Sequence, residues 1–183
     1  MTDRLIQVEA RTDRDSDSGA EAAVRRLYGR QAQPMFGFAR RLGLSNEDAD
    51  DAVQETVARL WRELGSGAII DDLDAWAFRV LYRISIDHHR IRRRLGALLE
   101  RLGSTDRRTG DGDPAGRTEV DAVWQAVDRL PDRQRAVLYL RYRADMAYEQ
   151  IGRAMGITPG AARGHATTGL ATLRRRLGDE VQP

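Results

Sequence analysis

The chain has 183 residues, enough for one or two domains, and 30 cationic against 28 acidic side chains leave a formal net charge of only +2. It has no cysteine, which excludes disulfides, thiol catalysis, iron–sulfur clusters and cysteine-ligated zinc. No run approaches about 18 apolar residues, and the opening MTDRLIQVEARTDRDSD lacks the apolar core of a signal peptide, so a soluble, cytoplasmic chain without membrane insertion is expected.

Charge is segregated rather than absent. Acids gather at Asp48, Asp50, Asp51 and Glu55, and bases at Arg79–Arg94 and Arg174–Arg176. Such a division predicts one surface for a basic protein and another for nucleic acid. All 30 cations are arginine, which suits phosphate and base recognition but also follows from GC-rich coding.

Residues 1–18 are polar and charged without a sustained period and are expected to form a disordered tail. From Ala20, Val24, Leu27, Tyr28, Gln31, Met35, Phe38 and Leu42 follow helical spacing; Pro34 should kink or restart this helix, and Gly43 should end it. Ser45 is the expected N-cap of the next helix, with Glu47 and Asp48 in its first turn. Ala49, Ala52, Val53, Thr56, Val57, Leu60, Trp61 and Leu64 make its apolar stripe, and Asp51, Gln54, Glu55, Arg59 and Arg62 its outer face. Helix capping accounts for Asp48 but less well for Glu55, which lies deeper. Gly65-Ser66-Gly67 breaks the helix.

The stretch Asp71–Arg94, DDLDAWAFRVLYRISIDHHRIRRR, reads as an amphipathic helix. Leu73, Ala77, Val80, Leu81, Ile84, His88 and Ile91 fall on one side. Arg79, Arg83, Arg90 and Arg94 form a row beside them, with Trp76 at its border and Tyr82, Ile86, His89 and Arg93 in the next sector. A solvated helix face normally alternates its charges, but Asp87 is the only acid between Arg79 and Arg94. A self-repelling cationic row flanked by aromatics predicts a polyanionic partner with unstacked bases.

Residues 101–118, RLGSTDRRTGDGDPAGRT, have no periodicity and read as a flexible linker. Beyond it, Val120, Val123, Trp124, Val127 and Leu130 form a stripe, and Pro131 is placed at the first position of another helix whose core residues are Ala136, Val137, Leu138, Leu140 and Tyr142. MAYEQIGRAMG-ITPG-AARGHATTGLATLRRRL then has the layout of a helix-turn-helix. Gly156 makes the turn, Thr158 caps the second helix and Pro159 begins it. The buried arc there is Ala162, Ala166, Leu170, Leu173 and Leu177; Ala161, Gly164, His165, Thr168 and Arg175 face outward, with Arg163 and Arg174 at the flank. The expected fold is therefore all-α: two small helical domains, 19–100 and 119–178, joined by a linker and ending in a 179–183 tail.

These motifs, in this order, resemble a bacterial RNA polymerase sigma factor of the extracytoplasmic-function (ECF) type of the sigma-70 family. SNEDADDAVQETVARLW resembles the family's polymerase-binding helix, DAWAFRVLYRISIDHHRIRRR its promoter-melting helix, and LPDRQRAVLYLRYRADMAYEQIGRAMGITPGAARGHATTGLATLRRRL its C-terminal domain. The resemblance implies that Asp48, Asp51, Gln54, Glu55 and Arg59 dock on the clamp helices of the largest polymerase subunit, with the second domain at the flap region. It implies −10 recognition and melting by Trp76, Arg79, Tyr82, Arg83, Arg90, Arg93 and Arg94, and −35 contacts by Thr158, Arg163, His165, Thr168 and Arg174. Core polymerase, promoter DNA and an anti-sigma factor are the implied partners; no cofactor, metal or catalytic residue is.

Three positions depart from the family pattern. Arg83 stands where asparagine is common, favouring phosphate or a guanine-like acceptor pair. Ala161-Ala162-Arg163-Gly164-His165 replaces T-V-K-S-R and predicts weak direct −35 readout. Ala147 replaces a capping serine, leaving Asp145 as the expected cap. Promoter elements about 25 base pairs apart lie about 85 Å apart along the duplex. A linker of this length averages about 24 Å as a coil and reaches at most roughly 60 Å. Domain radii of about 13 Å each close that distance only with the linker nearly taut, so a scaffold must hold it extended.

Two rival readings fit less of the chain. A stand-alone helix-turn-helix regulator leaves the acidic helix and the Trp-Arg helix without a purpose. A metal-dependent phosphoesterase is invited by Asp87-His88-His89, but neighbouring histidines on a helix point about 100° apart and cannot share a metal.

Overall fold

The computed structural model describes the backbone of residues 2–101 and 119–180, and side-chain surroundings for 19–88, 90–91 and 123–177. Among the described residues seven helices follow one another: α1 (Thr2–Arg41), α2 (Asn46–Gly65), α3 (Leu73–Arg101), α4 (Glu119–Asp128), α5 (Asp132–Tyr142), α6 (Tyr148–Met155) and α7 (Pro159–Glu180). The expected linker lies, but for Arg101, outside the described residues, as does the tail beyond Glu180.

Local chemistry sets the helix ends. The amide of Leu44 reaches back to the carbonyl of Ala39 as Gly43 takes a φ of 93°, a left-handed stop to α1. Ser45 caps α2, its hydroxyl accepting from the Asp48 amide at 3.1 Å while the Asp48 carboxylate accepts from Ser45 in return. Gly156, at φ 67°, ends α6, and Thr158 caps α7 through the Ala161 amide at 3.1 Å. Gly152 lets α7 approach: a Cβ there would meet the Ile157 carbonyl oxygen at 2.8 Å.

Several expectations are corrected. α1 begins at Thr2 rather than near Ala20, because no proline or glycine interrupts residues 2–18 and helix propagation adds one bond per residue fixed. It also runs through Pro34 without a restart. α3 continues to Arg101, past the expected boundary. Pro131 is the N-cap of α5, not its first turn, because its ψ of 143° is extended. Asp145 does not cap α6; it takes a φ of 52° in the preceding turn, and Ala147 occupies the cap. Lacking a side-chain acceptor, Ala147 keeps half of a capping box: its amide donates to the Gln150 side chain at 2.8 Å. Tyr28, Trp61, Ile91, Val123 and Tyr142, assigned to apolar stripes, are exposed.

α1, α2 and α3 pack as one unit, and α4 to α7 as a second. The two units are not apart: α6 packs along α3, and α5 against α1. Phe38 of α1 sits at the joint, edge-on to Phe78 of α3 at 5.5 Å between ring centroids and tilted against Tyr139 of α5 at 5.8 Å. Tyr139 in turn meets Trp124 of α4 at 5.6 Å. A chain of aromatic contacts therefore crosses from one unit to the other, each pair adding about 0.5–1.5 kcal/mol beyond buried area.

Candidate nucleic-acid interface

On α2 the stripe Ala49, Ala52, Val53, Thr56 and Leu60 is buried, which turns Asp51, Gln54 and Arg59 outward. Their charges are not equivalent. Glu55 accepts a hydrogen bond from Arg59 at 2.6 Å and lies 3.6 Å from Arg62; the Arg59 hydrogen bond, more than either arginine's field, holds its carboxyl below its ordinary pKa against some desolvation. Asp51, one turn earlier, has no ion-pair partner among the described residues. Asp48 serves the capping box and faces His88 Nε2 of α3 at 3.5 Å. His88 thus joins α2 to α3, and its Nδ1 is buried without a hydrogen-bond partner among the described residues.

The buried face of α3 is centred on Ala75, Ala77, Phe78, Leu81 and Ser85. The stripe expected from spacing lies one position to the side of this, through Val80 and Ile84, which are only partly covered. Phe78, fully buried, is the largest core residue absent from that stripe, with Ala75 and Ser85 beside it; its spacing of three to Leu81 and Ala75 is the signal that marks it. Asp72 caps the helix, its carboxylate accepting from the Ala75 amide at 2.9 Å.

This register leaves Arg79, Arg83 and Arg90 exposed and Trp76 and Tyr82 half-covered. Trp76, Arg79 and Arg83 line one hollow with Glu55, Arg59 and Arg62 of α2, so the acidic face and the cationic row meet at an edge. Trp76 and Arg79 also border the loop carrying Ile69, which is 92% exposed. Tyr82 lines a cleft with Ala154, Met155 and Gly156 at the end of α6, and burial pushes its hydroxyl pKa up. Asp87 pairs only loosely with Arg90, at 3.7 Å. The side chains of His89, Arg93 and Arg94 fall outside the described residues.

On α7, Ala162, Ala166 and Leu173 are buried, leaving Thr158, Arg163, Thr168 and Arg174 outward and His165 half-covered. Thr168 donates its hydroxyl hydrogen to the Gly164 carbonyl at 3.0 Å, so it can offer a partner only an acceptor. Arg163 lies 5.2 Å over the ring of Tyr148, which Arg141 approaches at 5.8 Å. Two helical units, one pairing an acidic helix with a cationic aromatic helix and one carrying a helix-turn-helix, define a DNA-binding protein.

Residues 27–95 match the family described as "Sigma-70 region 2", and residues 126–175 that described as "Sigma-70, region 4". The ECF RNA polymerase sigma factor SigL of Mycobacterium tuberculosis is 30% identical over 171 residues, spanning 87% of this chain and 92% of that protein. The RNA polymerase sigma factor CarQ of Myxococcus xanthus is 29% identical, over 88% and 92%. The chain belongs to the sigma-70 family, among its ECF sigma factors. Its fold is similar to that of RpoE from Bartonella quintana, solved with the anti-sigma factor NepR (TM-score 0.64, 20% identity, 87% of this chain and 97% of that one). It is also similar to CnrH, solved with the cytosolic domain of CnrY (TM-score 0.60, 23% identity, 93% and 96%).

Proposed function

We propose that this chain, as an ECF sigma factor, binds core RNA polymerase in the cytoplasm and directs it to promoters, and performs no covalent chemistry of its own. The observation that carries the reading is one small unit presenting an acidic face on α2 and a cationic aromatic face on α3, meeting at the hollow between Glu55 and Arg83. Asp51, Gln54 and the Glu55–Arg59 pair form the docking face for the clamp helices of the largest subunit. Trp76, Arg79, Tyr82, Arg83 and Arg90, with Arg93 and Arg94, open the −10 element and hold the displaced strand: the guanidinium groups neutralise phosphate, and the rings replace lost base stacking.

The second unit engages the −35 element through α7. With Ala161 and Gly164 outermost, the backbone approaches closely but offers few donors, so Arg163, His165 and Arg174 supply most of the contact to phosphate and bases. Its other face meets the flap region, and an anti-sigma factor regulates the whole. No helix among the described residues is long and apolar enough to cross a membrane.

Reconstitution tests this reading. Core polymerase plus this chain should give promoter-directed transcripts from a panel of genomic fragments, whereas duplex binding by the isolated chain should be weak. Trp76→Ala and Arg83→Ala should impair strand opening, read by permanganate reactivity, more than binding to core. Equal loss of both would assign α3 a structural role only.

A further inference from the structure

A cleft between the end of α1 and α5 carries more positive charge than its own side chains answer. It holds about 680 Å³ and is lined by Arg40 and Arg41 of α1, Arg135 of α5 and Arg143 just beyond that helix. Asp128 is the one acid among the lining residues. Packing that gathers four guanidinium groups round one space works against their mutual repulsion, and the more so where water is partly displaced. Pro34 and Phe36 give the same cleft an apolar stretch of wall. At its floor Tyr139 fills a notch: a Cβ on Gly37 would collide with the phenol oxygen and come within 3.2 Å of Cζ.

The partners of these arginines leave the excess in place. Arg41 takes Asp128 and also lies 4.8 Å over the Trp124 ring. Arg143 approaches the same ring at 5.8 Å and has no carboxylate partner among the described residues. One indole therefore serves two cations. Arg135 donates to Asp132 at 2.6 Å and to the Asp128 carbonyl at 2.8 Å, while its Nε is buried without a hydrogen-bond partner among the described residues. Arg41, Arg135 and Arg143 thus share two carboxylates. Tyr139 adds no negative charge, because burial pushes its hydroxyl pKa up against the pull of Arg41 and Arg143.

We propose that this cleft binds a diphosphate group, carried by a nucleotide or supplied as inorganic pyrophosphate, with Arg40 and Arg41 on one wall and Arg135 and Arg143 on the other. The guanidinium fork matches phosphate oxygens in pairs. A single phosphate has oxygens for one wall, whereas two linked phosphates engage both. A nucleotide lays its apolar part along Pro34 and Phe36 as well, and the volume lies within the range of small-ligand sites. No lining residue belongs to α2, α3 or α7, so the proposal stands apart from the reading of those helices as polymerase-binding and promoter-binding surfaces.

The test titrates the full chain by calorimetry, at fixed ionic strength and without divalent metal, with sodium pyrophosphate, orthophosphate, sulfate, ADP and GDP. Pyrophosphate should bind about tenfold or more tighter than orthophosphate or sulfate, the scale of one added charge-assisted contact, and should raise the melting temperature as its concentration rises. Arg143→Ala removes an exposed side chain with no ion pair to lose and should weaken pyrophosphate about tenfold. Arg143→Lys should recover part of that loss, since it keeps the charge without the fork. Arg133→Ala makes the same change of charge on α5 outside the cleft and should leave binding unaltered. ADP and GDP binding tighter than pyrophosphate would identify a nucleotide as the source; equal or weaker binding would identify the inorganic anion.

Pyrophosphate binding no tighter than sulfate would overturn the proposal. So would an unchanged affinity in Arg143→Ala, or an equal loss in Arg133→Ala, which would reduce the effect to general basicity. A fluorescent 12-mer oligonucleotide weakened by Arg143→Ala as much as pyrophosphate is would make the cleft part of a nucleic-acid surface, and the diphosphate assignment would fall.

Discussion

A methyl carbon placed on Gly152 would stand 2.8 Å from the carbonyl oxygen of Ile157 and 3.3 Å from the nitrogen of Pro159. Both obstacles are backbone and cannot swing aside, so the angle between α6 and α7 depends on the missing side chain. Gly152→Ala should therefore destabilise the protein by about 1–3 kcal/mol, the usual cost of overpacking. Gly164 is the control: it is exposed on α7, and a methyl placed there would have nothing within 4 Å. Gly164→Ala should stabilise by about 0.5–1 kcal/mol through helix propensity. Urea unfolding followed by circular dichroism separates the two, and midpoints moving in the same direction would show that the turn can relax.

Asp72 predicts a pH dependence of the contact between the two units. Burial pushes its pKa up, but the Ala75 amide, Arg153 and Gln150 together outweigh it, and the carboxyl sits below its ordinary value. A carboxylate with a depressed folded-state pKa contributes stability above its unfolded pKa, about 4. That contribution is lost as pH falls through the folded value. Glu63, Asp71 and Arg79 line the same hollow. Energy transfer between dyes on Ala58→Cys of α2 and Ala171→Cys of α7, both exposed positions, should be flat from about pH 7 to 5 and fall below about pH 4. In Asp72→Asn, which retains an N-cap acceptor, the acid transition should shrink. An undiminished transition in that variant would show that Asp72 does not hold the two units together.

Neighbouring carboxylates on α2 should differ in their weight for polymerase binding. Glu55 is already answered by Arg59 and Arg62, whereas Asp51 meets no cation among the described residues. Asp51→Arg should weaken association with core enzyme about tenfold or more, mostly through a slower on-rate that depends on salt. Glu55→Gln should cost less, because Arg59 and Arg62 already neutralise much of that carboxylate's charge. A competition assay against a labelled sigma factor ranks them; a larger loss at Glu55 would mean that its pair opens on docking.

Much of this architecture is legible one residue at a time. Ser45, Thr158, Gly43 and Gly156 each carry a local chemistry that dictates a helix end, and all four act where the sequence places them. The outward face of α2 follows from the periodicity of Ala49 through Leu60. The register of α3 does not: Ala75, Ala77, Phe78 and Val80 are all apolar, and a run of that kind permits more than one buried arc. The cap of α6 escapes sequence reasoning because a turn residue at φ 52° and an alanine cap both run against preference. Docking of the two units is invisible for a different reason. It depends on a notch at Gly37 filled from Tyr139 and on a carboxylate shared between positions 72 and 153, and neither pairing leaves any periodic trace.

The ring of Tyr148 makes the last prediction. Arg141 and Arg163 both approach it, but Arg141 is also held by the Met146 carbonyl at 3.2 Å and by Asp145 at 3.7 Å. Arg163 is exposed and has no acidic partner among the described residues, so the ring orients it. On the proposed −35 surface, where the neighbouring outward positions include Ala161 and Gly164, a pre-set arginine should carry much of the contact. Tyr148→Phe keeps the aromatic face and should leave promoter binding by the holoenzyme unchanged. Tyr148→Leu removes a cation–π contact of about 0.5–1 kcal/mol and should weaken binding roughly two- to fivefold. Arg163→Ala should cost more. It should reduce the salt dependence by about one phosphate if the guanidinium sits on the backbone, or relax preference at a single −35 base pair if it reads an edge. Equal behaviour of the Phe and Leu variants would show that the ring does not position Arg163.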